Sequence, residues 1–294
     1  MKRKAILVSF IFLLAFCVIA PVYSTFFSFN KMQHKYLTLK RQVRRELGRA
    51  RCQAAFVIQD LQYSRLKISS REHERFPAAS LIKVPILAVA FKAVSENKIK
   101  LSQSVVIERG DITGGSGILK SKKPPITLTF EELLEIMIAH SDNTATNKVI
   151  TILGYKYINR SFRALGLGHT TIERKMMDFS RRKNGVENYT CAADIVLLFK
   201  RIYDKKFINT DFSVLALEFL KKQKVNDRIP LYLPGSLDIA HKTGLERGVV
   251  HDAGIVFTSN GDYLICVMTR RVRDSTYAKK FIAKLALLTY NLYR

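Results

Sequence analysis

Strand-forming residues gather at both ends of this 294-residue chain, and a long helical stretch separates them. Near the start, Ala54-Ala55-Phe56-Val57-Ile58 opens a β-rich region running from Gln53 to Ile68. Near the end, residues 237–243, 249–258 and 263–271 alternate or are β-rich, and Asn260-Gly261 between the last two predicts a two-residue hairpin turn. Short strands cannot stand alone in water, so those from the two ends must share one sheet. The helical block is then an insertion between them, which is an α+β pattern of two interlocked subdomains.

The helices are legible by apolar spacing over Ser80–Val94, Asn143–Leu153, Ile158–Leu165, Ala192–Tyr203, Asp211–Lys224 and 275–292. Another begins after Thr129, where Thr129 and Glu132 form a capping box ahead of Leu133, Leu134, Ile136 and Met137. Residues 31–50 read as a basic surface helix. No repeat or linker divides the chain. The organisation expected is a leader over residues 1–24, an N-terminal helix over 25–50 and one catalytic domain over 51–294.

Lys2, Arg3 and Lys4 precede an apolar run from Ala5 to Ala20, and Val22-Tyr23-Ser24 supplies small residues for cleavage, so residues 1–24 read as an export signal. Retention as a membrane anchor over residues 5–23 is the alternative, although the run falls short of the ~20 residues of a span. A lipoprotein reading at Cys17 is weakened by bulky Phe16. Each reading places the protein outside the cytoplasm, in a periplasmic or extracellular setting. Disulfides are permitted there, and one pair is open to Cys52, Cys191 and Cys266, with Cys52 and Cys266 as candidate neighbours; buried free thiols are the other reading. The formal net charge of +25 favours anionic envelope surfaces as partners. No nucleic-acid motif accompanies the charge, and nucleic-acid binding is not expected.

Three short elements carry chemistry. Ser80-Leu81-Ile82-Lys83 opens an apolar helix, and one helical turn brings the amine to the hydroxyl. A desolvated lysine has a lowered pKa and can take the serine proton, while the helix start offers free N–H groups to an oxyanion. Ser141-Asp142-Asn143 lies between two helices, supplying a hydroxyl for proton transfer and an amide to hold a substrate; a plain helix cap would use the same residues. Lys242-Thr243-Gly244, after His241, sets a cation and a hydroxyl on a strand, with a glycine that lets a ligand approach the backbone. A pair formed by His251 and Asp252 reads as structural rather than catalytic.

Together and in this order, the three triplets resemble the signature of the class A β-lactamase and penicillin-binding serine enzyme superfamily. Phe76-Pro77-Ala78-Ala79 before Ser80, and Asn143-Thr144-Ala145-Thr146-Asn147, belong to the resemblance, which runs from about residue 50 to the C-terminus. It implies a β-lactamase/transpeptidase-like fold, with a five-stranded antiparallel sheet flanked by helices and an inserted helical subdomain. It also implies Ser80 as the acylated nucleophile, Lys83 as its activator and Ser141 as proton shuttle. Asn143, Lys242, Thr243 and Gly244 would bind substrate, and the backbone N–H groups of Ser80 and Leu245 would form the oxyanion hole. Neither cofactor nor metal is required, and a monomer is expected. The substrate implied is a β-lactam, with a cell-wall D-alanyl peptide or another ester or amide as alternatives.

The chain departs from that family at one point. Class A enzymes carry an Arg followed two positions later by a Glu that orients the deacylating water. Here Arg174 fits, but the Glu position holds Met176, and the expected Asn four residues further on is Ser180. Methionine cannot act as a base, so deacylation is expected to be slow unless Asp178, Glu173 or Glu187 takes over, with Asp178 the nearest candidate.

Overall fold

A computed structural model describes residues 28–294. The readings for residues 1–24, as signal, anchor or lipoprotein, lie outside the described residues. A helix α1 occupies 28–48 and presents Tyr36, Leu39 and Val43 inward at helical spacing. Strands β1 (Gln53–Asp60) and β2 (Lys67–Ser70) form a hairpin. The two-residue strand β3 (Phe76–Pro77) leads into a 3₁₀ turn, Ala79–Ile82, and helix α2 (Lys83–Ser95).

The inserted block follows. Strands β4 (Ser104–Ile107) and β5 (Ile126–Thr129) pair with each other, and helices α3 (Phe130–Ala139), α4 (Asn143–Leu153) and α5 (Tyr155–Ala164) come next. A loop with the short helix α6 (Phe179–Lys183) reaches β6 (Tyr189–Thr190), which pairs with β3, and then α7 (Ala192–Tyr203) and α8 (Thr210–Lys221). Strands β7 (Ile239–Glu246), β8 (Val249–Val256) and β9 (Tyr263–Arg270) and helix α9 (Ser275–Tyr290) close the chain.

The sheet has the order β2-β1-β9-β8-β7, antiparallel throughout, so β1 from one end of the chain lies beside β9 from the other. This is the shared sheet that the strand distribution requires. Its middle strands are buried on both sides. In β9, Leu264, Cys266 and Met268 join the core beneath the helical block, while Ile265 and Val267 join a second core under α1 and α9. Helix α2 runs through the first core with apolar residues all round it, from Val84 to Phe91, each fully buried. Burying each such Val, Leu or Phe stabilises the fold by roughly 1.5–3 kcal/mol, so α2 is the axis to which the block is fixed.

The caps fall where the sequence puts them. Thr129 Oγ1 accepts from Glu132 N–H at 3.1 Å, and Glu132 Oε2 accepts from Thr129 N–H at 2.7 Å. One expectation is corrected, and of the two cysteine readings the free thiols hold. β8 and β9 are joined by residues 257–262 rather than by a two-residue turn at Asn260-Gly261, because pairing stops at Val256 and Tyr263. Thr258 and Asp262 then satisfy that loop from within, Thr258 N–H donating to the Asp262 carboxylate and the Thr258 hydroxyl to Gly261 O. Cys52 and Cys266 are not bonded: all three described cysteines are free. Cys266 stands opposite Val57, five residues along the strand from Cys52, which at about 3.3 Å per residue is far beyond disulfide reach.

Candidate active site

The Ser80 turn is set by its flanks. Ala78 N–H donates to Asn188 O, and His251 Nε2 donates to Pro77 O at 2.8 Å, so the strand entering the turn is held on both sides. His251 Nδ1 lies 3.0 Å from Thr269 N–H and 2.8 Å from Val250 O, and burial pushes the imidazole pKa down to about 4. Ala79 then adopts φ +44°, a left-handed conformation costing about 1–2 kcal/mol for a residue with a Cβ. Ser141 shares that strain at φ +51°. Strain in two residues that flank one spot is the pattern of a site imposed on the backbone by its surroundings.

Lys83 joins the two motifs. Its fully buried amine lies 2.9 Å from Ser80 Oγ, 3.1 Å from Ser141 Oγ, 2.8 Å from Ser141 O and 2.9 Å from Asn143 Oδ1. The two carbonyl oxygens can only accept, so they fix two N–H bonds, and the remaining amine position faces both hydroxyls. Burial lowers the Lys83 pKa well below its ordinary value, and the Lys242 cation adds to this, against Asp142. As a neutral amine, Lys83 turns its lone pair towards the hydroxyl protons.

The middle motif is not a plain cap. Asp142 alone caps α4, its Oδ1 accepting from Ala145 N–H at 2.9 Å and its Oδ2 from Leu119 N–H at 2.9 Å. Ser141 and Asn143 are thereby left to the Lys83 cluster. The loop facing them depends on glycine: a Cβ at Gly117, where φ is +120°, would lie 2.1 Å from Asp142 Oδ2. Gly114-Gly115-Ser116-Gly117 is the sequence signal for this wall.

On the sheet side, β7 is the edge strand, and a Cβ at Gly244 would crowd His251, 3.2 Å from its Cβ, and touch Ala79. The pleat sends Lys242 and Gly244 towards the Ser80 turn and Thr243 to the other side of the strand with Asp252. Lys242 is fully buried and donates to Thr243 O at 3.0 Å; burial lowers its pKa to about 7, with Asp252 opposing and Arg228 contributing. Leu245 is half exposed at the end of the strand. Arg228, unnoticed in the sequence, is buried near Lys242 and its Nε has no partner among the described residues. No motif marks it.

Asp252 pairs with His241 and not with His251, because neighbours on a strand face opposite ways. His241 Nδ1 lies 3.0 Å from Asp252 Oδ1, and Asp252 Oδ2 accepts from Ile229 N–H. This ties β7 and β8 to the segment carrying Arg228.

The Arg174 loop is anchored, but no carboxylate of it joins the Lys83 cluster. Arg174 is buried between Glu187 and Glu246, at 2.7 and 2.8 Å, and Arg182 completes the network. Asn147 accepts from Met176 N–H and donates to Met176 O, which fixes the backbone at the departing position. Asp178 is committed to capping α6 through Arg181 N–H, Glu173 is exposed and Glu187 is held by arginines. Met177 and Asn143 both border Gly115, so methionine sulfur occupies this side of the site.

A serine acyl-transfer site on this fold defines a class, and comparison with known proteins agrees. The model of the β-lactamase enzyme family matches residues 38–293. β-Lactamase VEB-1 of Pseudomonas aeruginosa is 25% identical, with 94% of this chain and 97% of that protein covered. Among solved structures, PBP-A superposes with a TM-score of 0.79 at 29% identity, over 86% of this chain and 95% of that one. A β-lactamase from Sphaerobacter thermophilus superposes with a TM-score of 0.79 at 26% identity, over 85% and 95%. The chain belongs to the β-lactamase enzyme family, and it is a serine hydrolase of that type.

The two lysines set a pH dependence. With Lys83 as the proton acceptor and Lys242 as the cation that holds a substrate anion, kcat/KM for a carboxylate-bearing β-lactam is expected to fall as pH rises through about 7, where Lys242 loses its charge. A profile flat on its alkaline side contradicts that role for Lys242.

Proposed function

We propose that this chain opens the amide bond of β-lactams through an acyl-enzyme on Ser80, and releases the product slowly. The observation that carries this is the buried Lys83 amine in contact with both hydroxyls, Ser80 and Ser141. In the proposed sequence, neutral Lys83 takes the Ser80 proton and Oγ attacks the lactam carbonyl. The C–N bond then breaks, and Ser141 passes its proton to the departing nitrogen and is reprotonated by the Lys83 ammonium beside it. Backbone N–H groups of Ser80 and Leu245 hold the oxyanion, Asn143 holds the substrate amide, and at the free edge of β7 Lys242 from one face and Thr243 with Arg228 from the other receive the carboxylate. A PBP-A variant captured as an acyl-enzyme with penicillin G, 29% identical to this chain, supports the first half of this course. Met176 in place of a carboxylate supports the slow second half.

Mixing the purified protein with a chromogenic cephalosporin tests it: a stoichiometric burst followed by slow steady turnover is expected, with the acylated mass visible between. A persistent adduct without turnover would identify a penicillin-binding protein or D-alanyl peptidase instead. Absence of both would assign the site to another ester or amide.

Export remains part of the proposal, resting on the basic start and apolar run of the first 24 residues. The exposed face of α1, with Lys40, Arg41, Arg44 and Arg45, supports an anionic envelope surface as a neighbour of the folded, monomeric enzyme.

A further inference from the structure

We propose that His169, Cys191 and Asp194 form a binding site for one zinc ion, outside the catalytic cluster, where the loop after α5 meets the start of α7. One atom from each, imidazole nitrogen, thiol sulfur and carboxylate oxygen, lies within 4.8 Å of the others. His169 Nδ1 and Asp194 Oδ1 are 3.7 Å apart. Tetrahedral zinc with ordinary bond lengths sets such atoms roughly 3.3–3.8 Å apart, so the cluster closes on the ion by small side-chain movements. The chain spacing of these residues matches no metal motif; the bridge between Thr171 and Tyr189, the Thr170–Thr190 hydroxyl contact and the start of α7 assemble them.

The surroundings suit a ligand set. Asp194 is oriented through Oδ2, which accepts from His169 N–H at 2.9 Å and Thr170 Oγ1 at 2.7 Å, so Oδ1 is the oxygen left for the ion. Cys191 caps α7 through its sulfur, a place where serine or aspartate would cap better; the cap bond is a 3.4 Å contact from Asp194 N–H. Thiol, imidazole and carboxylate together select a borderline-soft divalent ion rather than magnesium or calcium. His169 is 41% exposed and gives the ion a path, and the His73 ring, 5.6 Å from it, or a water completes the shell. On binding, the Cys191 proton passes to solvent and the sulfur bonds as thiolate.

Cobalt(II) reports this directly. The purified full chain, stripped with chelator and titrated with Co²⁺, is expected to bind one equivalent with a near-ultraviolet thiolate-to-cobalt band that Zn²⁺ abolishes. Cys191→Ser, which keeps a helix cap, and His169→Ala, at a partly exposed position, are expected to lose the band and weaken zinc binding at least about 100-fold, since even an outer-shell partner is worth 10–100-fold. Cys52→Ser is expected to keep both. Absence of a thiolate band, its survival in Cys191→Ser or His169→Ala, or its loss in Cys52→Ser would overturn the site. None of these readouts depends on catalysis, so the zinc site and the Ser80 mechanism stand or fall separately.

Discussion

Replacing Lys83 by methionine is expected to slow acylation of the protein by a β-lactam about 10²–10⁴-fold, the usual worth of a positioned general base. The reason is local. The amine is the one group touching Ser80 Oγ, Ser141 Oγ and Asn143 Oδ1 together, and it is fully buried, so no solvent base replaces it. Methionine fills much of the same volume without a lone pair of comparable basicity. It leaves Ser141 O and Asn143 Oδ1 without their donor, at about 1–3 kcal/mol each, but it removes the cost of burying an amine close to a second cation. The variant therefore folds, and single-turnover acylation, read by mass with circular dichroism as the folding control, isolates the chemical loss. Acylation at the native rate would remove Lys83 from the mechanism.

Met176→Glu is expected to act in the opposite direction, on the second step. The backbone at 176 is clamped by two hydrogen bonds to Asn147, one helical turn beyond Asn143, so the loop holds its course whatever side chain it carries. A carboxylate at 176 would stand next to Met177, whose sulfur borders Gly115 and Asn143. In that place it would orient a water against the Ser80 ester and shorten the lifetime of the acyl-enzyme by about 10²–10⁴-fold. Adduct decay after rapid removal of free β-lactam measures this. An unchanged lifetime would mean that deacylation is limited elsewhere, and attention would pass to how water enters.

Much of this was legible in the sequence because it rests on local chemistry. The helices Asn143–Leu153 and Ala192–Tyr203 begin and end where apolar period and capping residues place them. The Thr129–Glu132 box forms as written. The Ser80–Lys83 contact follows from one helical turn, and its extension to Ser141 and Asn143 from the three motifs taken together. What stayed hidden depends on register and on distant pairing. The partner of Asp252 is decided by strand alternation between β7 and β8, so His241 takes it and the adjacent His251 turns to Pro77. Arg228 carries no motif and becomes notable only when burial sets its charge near Lys242. The candidate bases Asp178 and Glu187 are acidic residues near the right place in the chain, and only the fold shows them engaged by a helix start and by arginines.

Whether one hydroxyl carries the acyl group is open to direct measurement. Wild-type protein and Ser80→Ala are incubated with penicillin, digested, and their peptides weighed. The mechanism predicts one added penicilloyl mass on the Ser80 peptide of the wild type and none anywhere in Ser80→Ala. A modified peptide lacking Ser80, or an adduct that survives the substitution, would contradict it.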